Sequence, residues 1–207
     1  MSASSRHVYE PAQGSGLPHD PFNAIVGPRP IGWISTLGAD GVANLAPYSF
    51  FNAFNYRPPL IGFASIGWKD TAANAAATRE FVWSLASRDL AEAMNATAAH
   101  VPAGVDEFEL AGLTKAAGRR VQAPLVAEAR VSFECRVSQI IQLTGADGAA
   151  VETWLILGEV VVVHIDPSLL KEGVYDTAGA RPILRGGGWG DYAVVEPGAM
   201  FRMKRPA

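Results

Sequence analysis

The sequence predicts a mainly β protein, a sandwich or small barrel of short strands with helices inserted between them. Three observations carry this reading. The 207 residues include 21 glycines and 14 prolines beside only 18% charged residues, a mixture of frequent turns and apolar surface. Short extended runs are separated by turn residues along most of the chain. One run, 130–144, alternates apolar and polar residues with period two. A length prior of roughly 150 residues per domain favours one domain. A chain of this size buries about 70% of the surface that its unfolded form exposes. With 49% hydrophobic residues and a net charge of -3, the composition excludes disorder and lacks the basic surplus of a nucleic-acid protein.

In chain order, residues 1–21 read as an irregular arm and 22–207 as the domain. The arm has no charged head followed by an apolar run, so no signal peptide is expected. No stretch has the about 18 apolar residues of a membrane helix, and cytoplasm is the expected compartment. Ile31 to Leu37 reads as a strand that meets a hairpin connection, Gly38 to Gly41. Val42 to Phe54 follows as one extended run. Leu60 to Ile66 comes after the breaker Arg57-Pro58-Pro59. Asp70 to Arg79 is Ala-rich and helical, with Asp70 or Thr71 placed to cap it. Glu80 to Ala86 is a strand. Arg88 to Ala99 is a second helix, capped by Ser87 or Asp89, and Gly104 to Leu110 a further helical turn. In 130–144, Val131, Phe133, Cys135, Val137, Ile141 and Leu143 share one face, with Gln139 the exception there and Ile140 the exception opposite. The lone Cys135 is thus a small buried hydrophobe. The return run 151–165 holds Val160 to Val163 and is apolar on both faces, so both should be covered.

Several chemical signatures are missing. No GxGxxG follows a strand, and there is no P-loop and no GxSxG elbow. The four histidines are scattered without HxH or HExxH spacing, so no metal site is expected. With no nucleophile and base in view, no catalytic side chain is assigned. Any chemistry is expected to come from a cofactor.

Three motifs remain. Asn44-Leu-Ala-Pro-Tyr-Ser-Phe-Phe51 is strand-like but interrupted by Pro47, which demands a sheet edge or a bulge. Either a ligand pairs with the exposed backbone, or Pro47 simply protects an edge strand from aggregation. Ser65-Ile-Gly-Trp-Lys-Asp-Thr71 brings two hydroxyls and Lys69 to a helix start, which suits a phosphate. Alternatively Asp70 caps the helix and Lys69 is solvated. Arg29, between Pro28 and Pro30, reaches either an anion or a surface carboxylate. Among the five tryptophans, most are expected in the core or an interface, and Trp68 is the best ligand neighbour.

Taken together, these motifs resemble the flavin reductase-like, FMN-binding split-barrel family, which includes flavoredoxins and the flavin reductase components of two-component monooxygenases. Arg29 to Thr36 resembles its opening strand and Gly41 to Phe51 its flavin-contacting strand. Lys69-Asp-Thr71 with Asn74 resembles its phosphate segment. Asp106-Glu-Phe with Leu110 to Thr114 resembles the element after its second helix, and Phe133-Glu-Cys135 with Gly158-Glu-Val160 its core hairpin. The resemblance covers the chain from about Phe22 to Arg205. It implies a six-stranded antiparallel split barrel with a few short helices, forming a homodimer that holds FMN near the interface. It places the backbone around Asn44, Ala46, Pro47, Tyr48 and Ser49 against the flavin ring. Ser65, Lys69 and Thr71 would hold the phosphate, with Asp70 and Asn74 shaping the helix start. Arg29, His100 and the Arg185 to Tyr192 loop would lie near the ring or substrate. The implied activity is an NAD(P)H-dependent flavin reductase passing a hydride from nicotinamide to flavin N5, with a monooxygenase or another electron acceptor as partner. The alternative is a flavin-bound electron carrier that does not oxidise nicotinamide itself.

Overall fold

A computed structural model describes residues 6–102, 104–188 and 190–206. Its centre is one antiparallel sheet of seven strands. In chain order these are β1 (Gly32–Leu37), β2 (Ala43–Tyr48), β3 (Phe51–Tyr56), β4 (Pro59–Ile66), β5 (Glu80–Ser84), β6 (Val131–Thr144) and β7 (Ala150–Ile165). Their order across the sheet is β2-β1-β5-β6-β7-β4-β3. The count exceeds the expected six, and the run 42–54 is two strands rather than one. The chain turns a corner at Ser49-Phe50, and β3 pairs with β4 instead of continuing beside β1. β2 and β3 are therefore the two edges of the sheet. The ring of Tyr48 on β2 comes back over Phe63 on β4, 4.7 Å between centroids, which curls one end of the sheet towards the other. Pro47 sits on the edge strand, where its missing N–H breaks no ladder.

The sheet wraps a core built around Ile34, Phe63, Phe81, Cys135 and Ile156, each essentially without exposed surface. Filling it contributes about 1.5–3 kcal/mol per large side chain. The packing explains Gly158: a Cβ there would stand 2.4 Å from the Phe81 ring and 3.1 Å from Cβ of Cys135.

The period-two reading of β6 is right for its first half and wrong for its second. Val137 pairs with Gly158 but Gln139 pairs with Leu157, so Ser138 is an extra residue. Such a bulge turns every later side chain to the opposite face. Ile140 accordingly packs on the core, and Ile141 is exposed. The opposite face of the first half is no solvent face either, because Ser132 and Glu134 are buried. On β7, Val160 is buried but Val161 and Val163 are exposed, so the chain alone covers only one of the two apolar faces there.

Three helices connect the strands. α1 (Asp70–Thr78) has Lys69 at its N-cap and no side-chain cap, so neither Asp70 nor Thr71 caps it; both lie inside the first turn. α2 (Ala91–Ala96) follows a 3₁₀ turn, Arg88–Leu90, and is shorter than expected. Neither Ser87 nor Asp89 caps it; Asp89 instead accepts from Arg181 Nη1 at 3.2 Å. α3 (Glu107–Leu110) is capped by Asp106, whose Oδ1 accepts the Phe108 amide at 2.9 Å. A small second sheet joins Arg29–Pro30 to Ile183–Arg185 and Tyr192–Val194. Among the described residues, no helix is long and apolar enough to cross a membrane.

Candidate functional site

The edge strand β2, the start of α1 and the connection between α2 and α3 enclose a cleft of about 360 Å³. That is within the size range of small-ligand pockets, about 300–1,000 Å³. Seven residues singled out in the sequence line it: Asn44, Ala46, Pro47 and Tyr48 from β2, and Lys69, Asp70 and Thr71 from the helix start.

The helix start is prepared for an anion. The first amides of an α-helix have no partner inside it, and no side chain takes their place here. The helix dipole adds partial positive charge at that end. Lys69 is exposed at the N-cap, and among the described residues it has no ion-pair partner. Thr71 is buried one residue into the helix, and its Oγ1 accepts from Asn44 Nδ2 at 2.7 Å. Burial, the largest influence, pushes the pKa of the Tyr48 hydroxyl up, against the pull of the Thr71 and Ser65 hydroxyls. Ser65 lies behind the cleft wall, and its hydroxyl donates to Gly67 carbonyl at 2.8 Å. That bond fixes the loop where Gly67 adopts φ +84°, a conformation that favours glycine.

The remaining expected residues lie elsewhere. Asn74 sits one turn down α1, donates to Thr36 Oγ1 at 3.2 Å and faces a smaller adjoining depression. Ser49 is at the corner, and its carbonyl accepts Arg29 Nε at 3.1 Å. Among the described residues Arg29 forms no ion pair with a carboxylate. Its Nη1 donates to the carbonyls of Asn23 and Val26, and its guanidinium lies over Phe50. It ties the N-terminal segment to the corner. The Arg185 to Tyr192 loop packs on that same segment, with Gly187 against Ala24, and does not line the cleft; Trp189 lies outside the described residues. Trp68 does not line the cleft and meets Trp154 edge-on at 5.2 Å. Trp33 is fully buried and Trp83 and Trp154 pack against the core. Of Arg29, His100 and the described residues of the Arg185 to Tyr192 loop, His100 alone lines this cleft.

Apart from His100, sequence reasoning missed the far wall. Thr97 to Val101 forms it, held from inside the core by the Trp33 indole, which donates to Thr97 Oγ1 at 3.0 Å. Glu107 closes it. The residue is 6% exposed, and its carboxylate accepts the outward amide of Leu45 on β2 at 2.9 Å. Burial, then the charges of Asp106 and Asp70, push its pKa above the ordinary carboxylate value against the pull of the Leu45 and Glu107 amides. The only hint in the sequence is an acidic pair, Asp106-Glu107, directly before Phe108. The Leu45 amide is thus already engaged, and Pro47 has none, so β2 offers fewer donors to a ligand than its extended composition suggests.

The arrangement defines a class: a β-barrel with a ligand-sized cleft that joins a proline-interrupted sheet edge to an uncapped helix start. The flavin reductase like domain matches residues 27–184, and the chain belongs to that family. A protein of Aquifex aeolicus, described only as uncharacterized, is 37% identical over 170 residues, 79% of this chain and 83% of its own. Nitrilotriacetate monooxygenase component B from Bacillus cereus superimposes with a TM-score of 0.86 at 31% identity, covering 97% of this chain and all of its own (100%). An FMN-binding protein from Thermus thermophilus shares the fold, with a TM-score of 0.72 at 17% identity over 99% of this chain and 100% of its own.

Proposed function

We propose that this chain is an FMN-binding NAD(P)H:flavin oxidoreductase. One observation carries the reading: the uncapped start of α1, with Lys69 and Thr71, opens into the same cleft as the Asn44 to Tyr48 edge. That donor set fits a phosphate. When bound, FMN supplies the redox chemistry, taking a hydride from NAD(P)H at N5 and giving up electrons to an acceptor. The protein's part is binding and alignment. Lys69, the α1 amides and the Thr71 hydroxyl hold the phosphate. Asn44 fixes Thr71 in place, and Ser65 fixes the Gly67 loop. Pro47 keeps another strand from pairing at the edge, which leaves that edge to the ring. Thr97 to Val101 screens the cleft from solvent.

The apolar surface that the chain leaves bare supports a homodimer. Val161 and Val163 on β7, Ile141 on β6 and Phe54 on β3 are all exposed apolar side chains that a second subunit would cover. A monooxygenase is the favoured acceptor, on the likeness to a monooxygenase component B. The test is stopped-flow reduction of the flavin-loaded protein. NADH or NADPH is expected to bleach the bound flavin directly. If neither does so and a protein donor is required, the chain is an electron carrier instead.

A further inference from the structure

Glu107 is an odd residue to find opposite a phosphate subsite. It lines the cleft that Lys69, Asp70 and Thr71 line, and at 6% exposure water screens it poorly. It is not free to swing away, because its carboxylate holds the Leu45 amide of the neighbouring strand at 2.9 Å. Other ionisable groups share its surroundings: Lys69 and Asp70 at the start of α1, Tyr48 on β2, His100 on the covering loop, and Asp106 beside it. Asp106 is engaged by Lys115. Lys69 is the one permanent cation that lines the cleft among the described residues, and two carboxylates, Asp70 and Glu107, line it as well.

We propose that Glu107 is a specificity-determining residue of this cleft: its carboxylate opposes the anionic group that Lys69 and the α1 start attract, so its ionisation sets how tightly a phosphorylated ligand is held. The inference rests on the FMN reading and deepens it. Its sign is fixed by linkage. Glu107 carries its charge above its pKa, which burial raises, so the opposition is full in alkaline solution and fades as pH falls through that value. A dianionic ligand favours the protonated form further. A neutral ligand of the same ring feels none of this.

The experiment compares FMN with riboflavin, which lacks the phosphate, on the wild type and on Glu107→Gln. Glutamine keeps an acceptor for the Leu45 amide and removes the charge. At pH 8 the variant is expected to bind FMN about three- to tenfold more tightly than the wild type, and at pH 5 the difference is smaller. Riboflavin affinity should differ by less than about twofold at either pH. Glu107→Met, also uncharged and of similar length, gives the same FMN ratio if the Gln variant folds poorly. FMN affinity that depends on Lys69 but is equal in wild type and variant at pH 8 overturns the inference alone. An equal gain for riboflavin also overturns it, because packing and not charge would then be responsible. FMN affinity indifferent to Lys69→Ala with Thr71→Ala overturns the FMN reading itself, and the inference with it.

Discussion

Two glutamates are buried in this barrel, and they end in opposite states. Glu134 on β6 has no exposed surface, and burial pushes its carboxyl up. The amides of Arg119, Arg120 and Val121, at 2.8, 2.6 and 3.0 Å, and His164 Nε2 at 2.6 Å outweigh that cost and hold it down at about 2. Glu107 is nearly as buried, but it has one amide from the facing strand and two acidic neighbours, and its pKa rises. Donors, not depth, decide the outcome. The fully satisfied carboxylate pins the 119–121 strap across the outer face of β6. The under-satisfied one lines the cleft of the candidate site.

The largest expected effect comes from breaking the first of these sites. Glu134→Ala leaves three amides facing a buried gap and should cost about 3–5 kcal/mol in urea unfolding. The wild type should lose stability as pH falls from about 4.5 towards 2, because the folded carboxyl stays ionised below the unfolded value. Glu134→Gln should flatten that acid limb. Next, Lys69→Ala with Thr71→Ala should weaken FMN binding about 10- to 100-fold, read by flavin fluorescence, while unfolding stays cooperative. His164→Ala removes one of four donors from Glu134 at a partly exposed position and should cost about 1 kcal/mol, with FMN affinity unchanged. Smallest in stability is Glu107→Gln, within about 1 kcal/mol of the wild type, its effect appearing instead in the pH dependence of FMN affinity.

The same contrast shows what the sequence made legible. Local rules survived: the hairpin at Gly38 to Gly41, the edge position of Pro47 and the α1 start with its hydroxyls are all set by neighbours in the chain. Features fixed by distant segments were hidden. Glu134 reads as one polar residue in an alternating strand, yet a strap 13 to 15 residues upstream buries it. Glu107 reads as a helix-start acid, yet it bonds to a strand 62 residues away. The second half of β6 was misread because Ser138 bulges, although Gln139 and Ile140 already broke the pattern there. The β2 corner at Ser49 was invisible for a related reason. Arg29 holds that turn from 20 residues away, and nothing in Tyr48-Ser-Phe50 demands a break. The exposed valines of β7 were predicted to be covered, and within one chain they are not.

The central claim is that the start of α1 binds the phosphate of a flavin, and titrating the flavin-free protein with FMN and with riboflavin tests it most directly. The wild type should prefer FMN by at least about tenfold, and Lys69→Ala with Thr71→Ala should abolish that preference while leaving riboflavin affinity in place. Equal affinity for the two flavins in the wild type, or a preference for FMN that survives the double substitution, would contradict it.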